Sequence, residues 1–188
     1  MVWAFSDFAL IRNATLFVDF FFVLSGFVVS HAYLRRLHDR TGAMNFAIRR
    51  FGRLWPNHVV VLGLFVLFQF AAVLAQNVAG INLHQQPFSG TYAPEAILTN
   101  ILLVHPFGIH GQLTWNRPSW SIAVEFWTYL LFAALVVTWP RRLLATSILM
   151  IAISLAVVAL FSKSYMGATD GYALFRCAAG FFFGVLTH

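Results

Sequence analysis

The chain has 188 residues, of which 60% are hydrophobic and only 10% charged, with a formal net charge of +6 and a mean hydropathy of +0.78. A water-soluble domain carries about a quarter charged residues, so this composition excludes one and points to an integral membrane protein. The positive charge does not signal nucleic acid, because the basic residues gather in short loops between apolar runs, which is the pattern of membrane topology.

Residues 1–14 contain Asp7 and Arg12 and lack the basic start, apolar run and small-residue cleavage site of a signal peptide. A bilayer core about 30 Å thick needs roughly 20 apolar helical residues. Five segments meet or approach that length: Thr15–Tyr33, Pro56–Ala79, Ser119–Trp139, Leu143–Phe161 and Gly171 to about Thr187. A shorter run, Ala96–Val104, is too brief to span and is expected to lie at the surface or to re-enter. The expected fold is all-α, a polytopic transmembrane helical bundle forming one domain over residues 1–188.

Loop 34–55 holds Arg35, Arg36, Arg40, Arg49, Arg50 and Arg53 against Asp39, and Arg141 and Arg142 follow the third span. Loops rich in arginine face the cytoplasm. The first span therefore runs from outside to inside, and the later spans alternate without conflict. A first span that starts outside, and a last one that stops at His188 without a closing loop, both read as cut edges. Trp55, Trp115, Trp120 and Trp139 fall near span ends, where indole rings favour the membrane interface.

Charge in hydrocarbon is costly, so an acid inside a span must be paired, protonated or wet. Asp19 lies about one turn into the first span and shares a face with Gly26 and Ser30, whose small side chains let another helix approach. Asp19 is a candidate catalytic acid or a structural partner for a neighbouring helix. Glu125 sits two turns into the third span on a face with Ser121 and Thr128. It is a candidate general acid or base, a partner for a histidine on another helix, or part of a packing network.

Arg50 and Arg53 share a helix face before Pro56. Paired guanidinium groups suit phosphates, so they are candidate contacts for a nucleotide-like acyl-CoA, with a lipid-headgroup anchor as the alternative. The histidines are scattered: His31, His58, His84, His105 and His110 show no metal-ligand spacing, and Cys177 stands alone in an apolar context, so no metal site is expected. Trp115, Asn116 and Arg117 are candidate sugar or headgroup contacts on the long loop 80–118.

Three stretches in order, VDFFFVLSGF (18–27), RRFGRLWP (49–56) and PSWSIAVEFWTY (118–129), resemble the acyltransferase-3 family of polytopic membrane acyltransferases, from about Leu16 to the chain end. Members O-acetylate bacterial O-antigens, exopolysaccharides and nodulation factors. The resemblance implies about ten helices, of which this chain would hold the second to roughly the sixth. It implies transfer of an acyl group, usually acetyl, from cytoplasmic acyl-CoA to a carbohydrate hydroxyl across the membrane. No permanently bound cofactor is implied.

By the same resemblance, Arg50 and Arg53 match the arginine pair linked to the acyl-CoA phosphates. Ser25, Gly26 and Phe27 match the Ser-Gly-Phe motif, and Ser119, Trp120, Ser121 and Glu125 match the segment ending in a buried glutamate. The family's first helix, with its arginine motif and histidine, has no counterpart in residues 1–14, which look like the outer loop after it.

The expected function is a membrane acyltransferase of the bacterial inner membrane. Its partners would be membrane lipids and a carbohydrate or lipid-linked glycan acceptor, with no nucleic acid. The alternative is a non-catalytic membrane protein, either a transporter of lipid-linked sugars or an inactive remnant.

Overall fold

The computed structural model describes residues 14–80 and 85–188. The expected outer loop before the first span, and His84, lie outside the described residues. Among the described residues the chain is helical with no strand: α1 Ala14–Tyr33, α2 Arg40–Ala79, α3 Glu95–Ile101, α4 Trp120–Thr138, α5 Leu143–Phe161 and α6 Ala173–Leu186. Four helical stretches among them, containing α1, α2, α4 and α5, are long and apolar enough to cross a membrane. The chain is an integral membrane protein with an all-α bundle fold.

One expectation is corrected. The arginine-rich segment before Pro56 is helix from Arg40 onward, and α2 runs unbroken for 40 residues. Asp39 starts it, its Oδ1 accepting the Gly42 N–H at 2.7 Å. Hydropathy marks where the span is apolar, not where the helix begins. At about 1.5 Å per residue α2 is about 60 Å long, roughly twice the hydrocarbon core. Pro56 therefore lies inside the helix, where it withholds an N–H from the carbonyl one turn earlier. That residue is Gly52, whose surroundings are open for 4 Å about a hypothetical Cβ.

The bundle is organised around α6, which packs on α1, α4 and α5, while α2 flanks α4. Phe181 and Phe182 of α6 are fully buried against Val29, Phe46, Tyr129 and Phe132. The outer faces of α1, α2 and α5 keep large apolar residues such as Phe17, Phe20, Phe68 and Leu160 exposed, as lipid-facing helices do.

Helices α1 and α6 meet backbone to backbone. A Cβ on Gly26 would stand 1.9 Å from the Phe181 carbonyl oxygen, and one on Gly184 1.9 Å from that of Val23. Gly180, one turn before Gly184, meets the Cβ of Phe22. In lipid no hydrophobic force separates helix from tail, so close packing of small residues is what holds such a pair.

The short run after α2 folds back along it. Trp55 donates its indole N–H to the Ile101 carbonyl at 2.9 Å, and His58 Nε2 bonds the Asn100 carbonyl at 2.9 Å. His105 stacks on His58 with centroids 5.8 Å apart and planes 2° from parallel, and its Nε2 lies 3.2 Å from Ser119 Oγ. Of the tryptophans near span ends, Trp139 is exposed, whereas Trp115 and Trp120 are buried. Trp115, in the left-handed region at φ 51°, donates its indole N–H to the Ala93 carbonyl. Its ring is thereby committed to packing rather than free for a sugar.

Burial, aided by nearby His58 and His110, lowers the His105 pKa from 6.5 to about 4. The unfolded histidine takes up a proton as pH falls below about 6.5 while the folded one refuses it until about 4. Its contribution to stability is therefore complete above 6.5 and lost on the way down to 4. Thermal unfolding of the detergent-solubilised protein should show this acid-side loss, and His105→Asn should flatten it. Gly184→Val should destabilise the fold by about 3 kcal/mol or more through overpacking. Gly63→Ala, which has nothing within 4 Å, should not destabilise it in the same assay.

Candidate active site

Glu125 occupies the second turn of α4 and is 2% exposed. Its Oε1 accepts the Ser25 hydroxyl at 2.6 Å and also the Tyr129 hydroxyl. Ser25 Oγ and Tyr129 OH are themselves 2.7 Å apart, so three oxygens from two helices form a closed triangle. Ser25 reaches α4 because its neighbour Gly26 lets α1 settle against α6. Tyr129 is on the Glu125 face because the two are four residues apart on one helix.

A cavity of about 210 Å³ opens beside this triangle, lined by Ser25, Glu125 and Tyr129, by Arg50, Arg53 and Leu54 of α2, and by Phe21, Leu24, Val28 and Val29 of α1. Arg50 and Arg53 are both close enough to act on Glu125 electrostatically. The Arg50 guanidinium is caged by the rings of Tyr33, Phe46 and Tyr129, with Cζ 4.9, 5.5 and 5.0 Å from their centroids. Its Nε is buried without a hydrogen-bond partner among the described residues. Arg53 is exposed at the rim. The cavity thus combines a cationic edge, an apolar wall and a buried carboxylate.

Asp19 does not line this cavity. Its carboxylate takes a two-pronged grip from Arg176 of α6, with Nε to Oδ1 at 2.7 Å and Nη2 to Oδ2 at 3.0 Å. Arg176 is fully buried, bonds the Ala168 carbonyl at 3.2 Å, and lies over the Trp120 ring at 5.4 Å. This ion pair fastens α1 to α6.

The other motif residues also divide by position. Ser119 is buried, donates to the Asn116 carbonyl and contacts His105, so it secures the turn into α4. Trp120 packs on Phe22. Ser121 donates back to the Pro118 carbonyl at 3.2 Å and does not line the cavity. Thr128 bonds Cys177 at 3.4 Å. Phe27 is exposed and stacks on His31. Of the expected residues, the cavity gathers Ser25, Arg50, Arg53 and Glu125.

Sequence reasoning missed Tyr129 and Arg176. Each carried a signal. A tyrosine four residues after a buried glutamate can reach it, and an arginine inside an apolar run must find an acid in another. The glycine pair Gly180 and Gly184, spaced for close helix contact, was likewise unread.

Comparison with known proteins bears on this arrangement. The sequence profile described as "Acyltransferase domain" matches residues 2–188. "Protein 2 in picA locus" of Rhizobium radiobacter is 31% identical over 151 residues, covering 78% of this chain and 77% of that protein. "Acyltransferase MdmB" of Streptomyces mycarofaciens is 32% identical over 115 residues, covering 61% of this chain but 26% of that protein. No solved structure matches. With the profile spanning nearly the whole chain, the protein belongs to the acyltransferase-3 family.

Proposed function

We propose that the protein transfers an acyl group, acetyl by the family resemblance, from acyl-CoA to a hydroxyl of an exported or cell-surface carbohydrate. The observation that carries this reading is the single cavity in which Arg50 and Arg53 stand beside the Ser25–Glu125–Tyr129 triangle. The relative named as an acyltransferase supports the reaction class. The membrane is taken as the bacterial inner membrane, with the arginine-rich side cytoplasmic by the charge bias of the loops.

In this reading the guanidinium groups bind the donor's phosphates through forked hydrogen bonds. The apolar wall of Leu24, Val28 and Leu54 covers the thioester arm. The acceptor hydroxyl oxygen forms the new bond to the acyl carbon, the carbon–sulfur bond breaks, and CoA leaves as the thiolate. The hydroxyl proton ends on that sulfur, and Glu125 is the group of this chain placed to hold it on the way. Asp19 acts only through the fold, since Arg176 holds its carboxylate.

Glu125→Gln keeps the size and the contacts of the side chain and removes the base. In membranes supplied with radiolabelled acetyl-CoA it should lower label incorporation into glycan by about 10²- to 10⁴-fold, and unchanged incorporation would reject the reading. A transporter of unmodified glycan would show no acetyl-CoA-dependent labelling in the parent protein. Arg53→Ala should raise the half-saturating acetyl-CoA concentration by about tenfold, as loss of one charge-assisted contact does. It should also narrow the preference for acetyl-CoA over its dephospho form. A preference and an affinity both unaltered would leave Arg53 as a headgroup anchor.

A further inference from the structure

We propose that Tyr129 is a positioning residue that holds one oxygen of Glu125, leaves the other for the chemistry, and links the carboxylate to the Arg50 cation. The inference rests on the acyl-transfer reading above and deepens it.

Glu125 Oε1 accepts two hydroxyls, Ser25 at 2.6 Å and Tyr129, whose own oxygens stand 2.7 Å apart on the same side of it. Oε2 makes no hydrogen bond to the described residues, and Glu125 lines the cavity. Rotating the carboxylate to exchange its oxygens would break two short hydrogen bonds at once. The pair of hydroxyls therefore leaves Oε2 as the working oxygen.

Tyr129 does this while its ring serves a second purpose. The ring sits 5.0 Å from Arg50 Cζ, so one side chain touches both the carboxylate and the cation. Its own placement is rigid, because Phe46 and Phe181 contact it edge to face at 5.9 and 5.7 Å. The hydroxyl thus governs the acid, and the ring governs the arginine, which makes the two functions separable by substitution.

Tyr129→Phe removes one buried oxygen and keeps the ring. With acetyl-CoA as donor, its turnover should fall by about 100-fold, the cost of a misplaced reacting group. Its half-saturating acetyl-CoA concentration should stay within about twofold of the parent, because the ring over Arg50 remains. Tyr129→Leu removes the ring as well and should raise that concentration by at least about fivefold. In a Glu125→Gln background, Tyr129→Phe should cost nothing further, since both act on one group. Ser25→Ala tests the same oxygen from its other hydroxyl and should combine with Tyr129→Phe less than multiplicatively.

Parental turnover in Tyr129→Phe with an inactive Glu125→Gln would overturn this inference and leave the acyl-transfer reading standing. An active Glu125→Gln would overturn the reading itself. Should Tyr129→Phe fail to accumulate as folded protein, parental turnover in Ser25→Ala would by itself reject the three-oxygen arrangement.

Discussion

The contact on which the rest of the structure depends is the seam between α1 and α6. Gly26 and Gly184 each leave a space that the other helix's backbone fills, at a distance no side chain could tolerate. Two consequences follow from that approach. Arg176 comes near enough to grip Asp19, and Ser25, next to Gly26, is turned toward α4 and Glu125. A wider seam would cost both. In a membrane the helices gain nothing from hiding apolar surface, so this geometry has to come from packing and hydrogen bonds. The packing then sets where the polar atoms of the two helices meet.

Two acids lie inside spans of this protein, and their surroundings differ in kind. Asp19 meets a guanidinium with matching fork geometry, and the pair leaves neither carboxylate oxygen over. A pair so completed, with its arginine fully buried, is costly to break and inert while intact. Glu125 receives two neutral hydroxyls on one oxygen, with two arginines acting on it from across a cavity and none gripping it. That arrangement retains unspent capacity to bind or exchange a proton. Burial and hydropathy alone do not separate the two acids. The count of donors on each oxygen does, and it explains why one belongs to the scaffold and the other to the candidate site.

Much of the fold was legible in the sequence because hydropathy and helix length are local properties. The expected spans of α1, α4 and α5 coincide closely with the helices, and the small face of Gly26 and Ser30 does receive another helix. The start of α2 was not legible. A proline beside arginines reads as a helix entrance, while the true start depends on Asp39 seventeen residues earlier. Partners that lie far apart in the chain were also hidden. The Asp19–Arg176 pair joins residues 157 apart, and Ser25 meets Glu125 across 100 residues. Periodicity places each of these on a face of its own helix but cannot choose the face opposite. The candidate site was therefore visible as residues and not as a constellation. Tyr129 went unread for a related reason, since an aromatic residue in an apolar span is ordinarily packing.

The cavity's mixed lining bears on the kind of donor it suits. A cationic rim alone would serve a lipid headgroup, and an apolar wall alone would serve an acyl tail. Here the two meet at Glu125, which lines the same cavity. Under the proposed reading, an acyl-CoA would be recognised at both ends, with phosphates on Arg53 and Arg50 and the thioester against Leu24 and Val28. Binding energy gathered at the charged end would then hold the reacting carbon near Glu125, as remote contacts are used to position a reaction. The caging of Arg50 by three rings fits that role better than a headgroup anchor. An anchor needs only a flexible charge at the surface, whereas Arg50 is 8% exposed and its guanidinium, held between Tyr33, Phe46 and Tyr129, has a fixed direction. Fixing a cation costs side-chain entropy, and the expense is intelligible where the group must meet a donor in one orientation beside the acid.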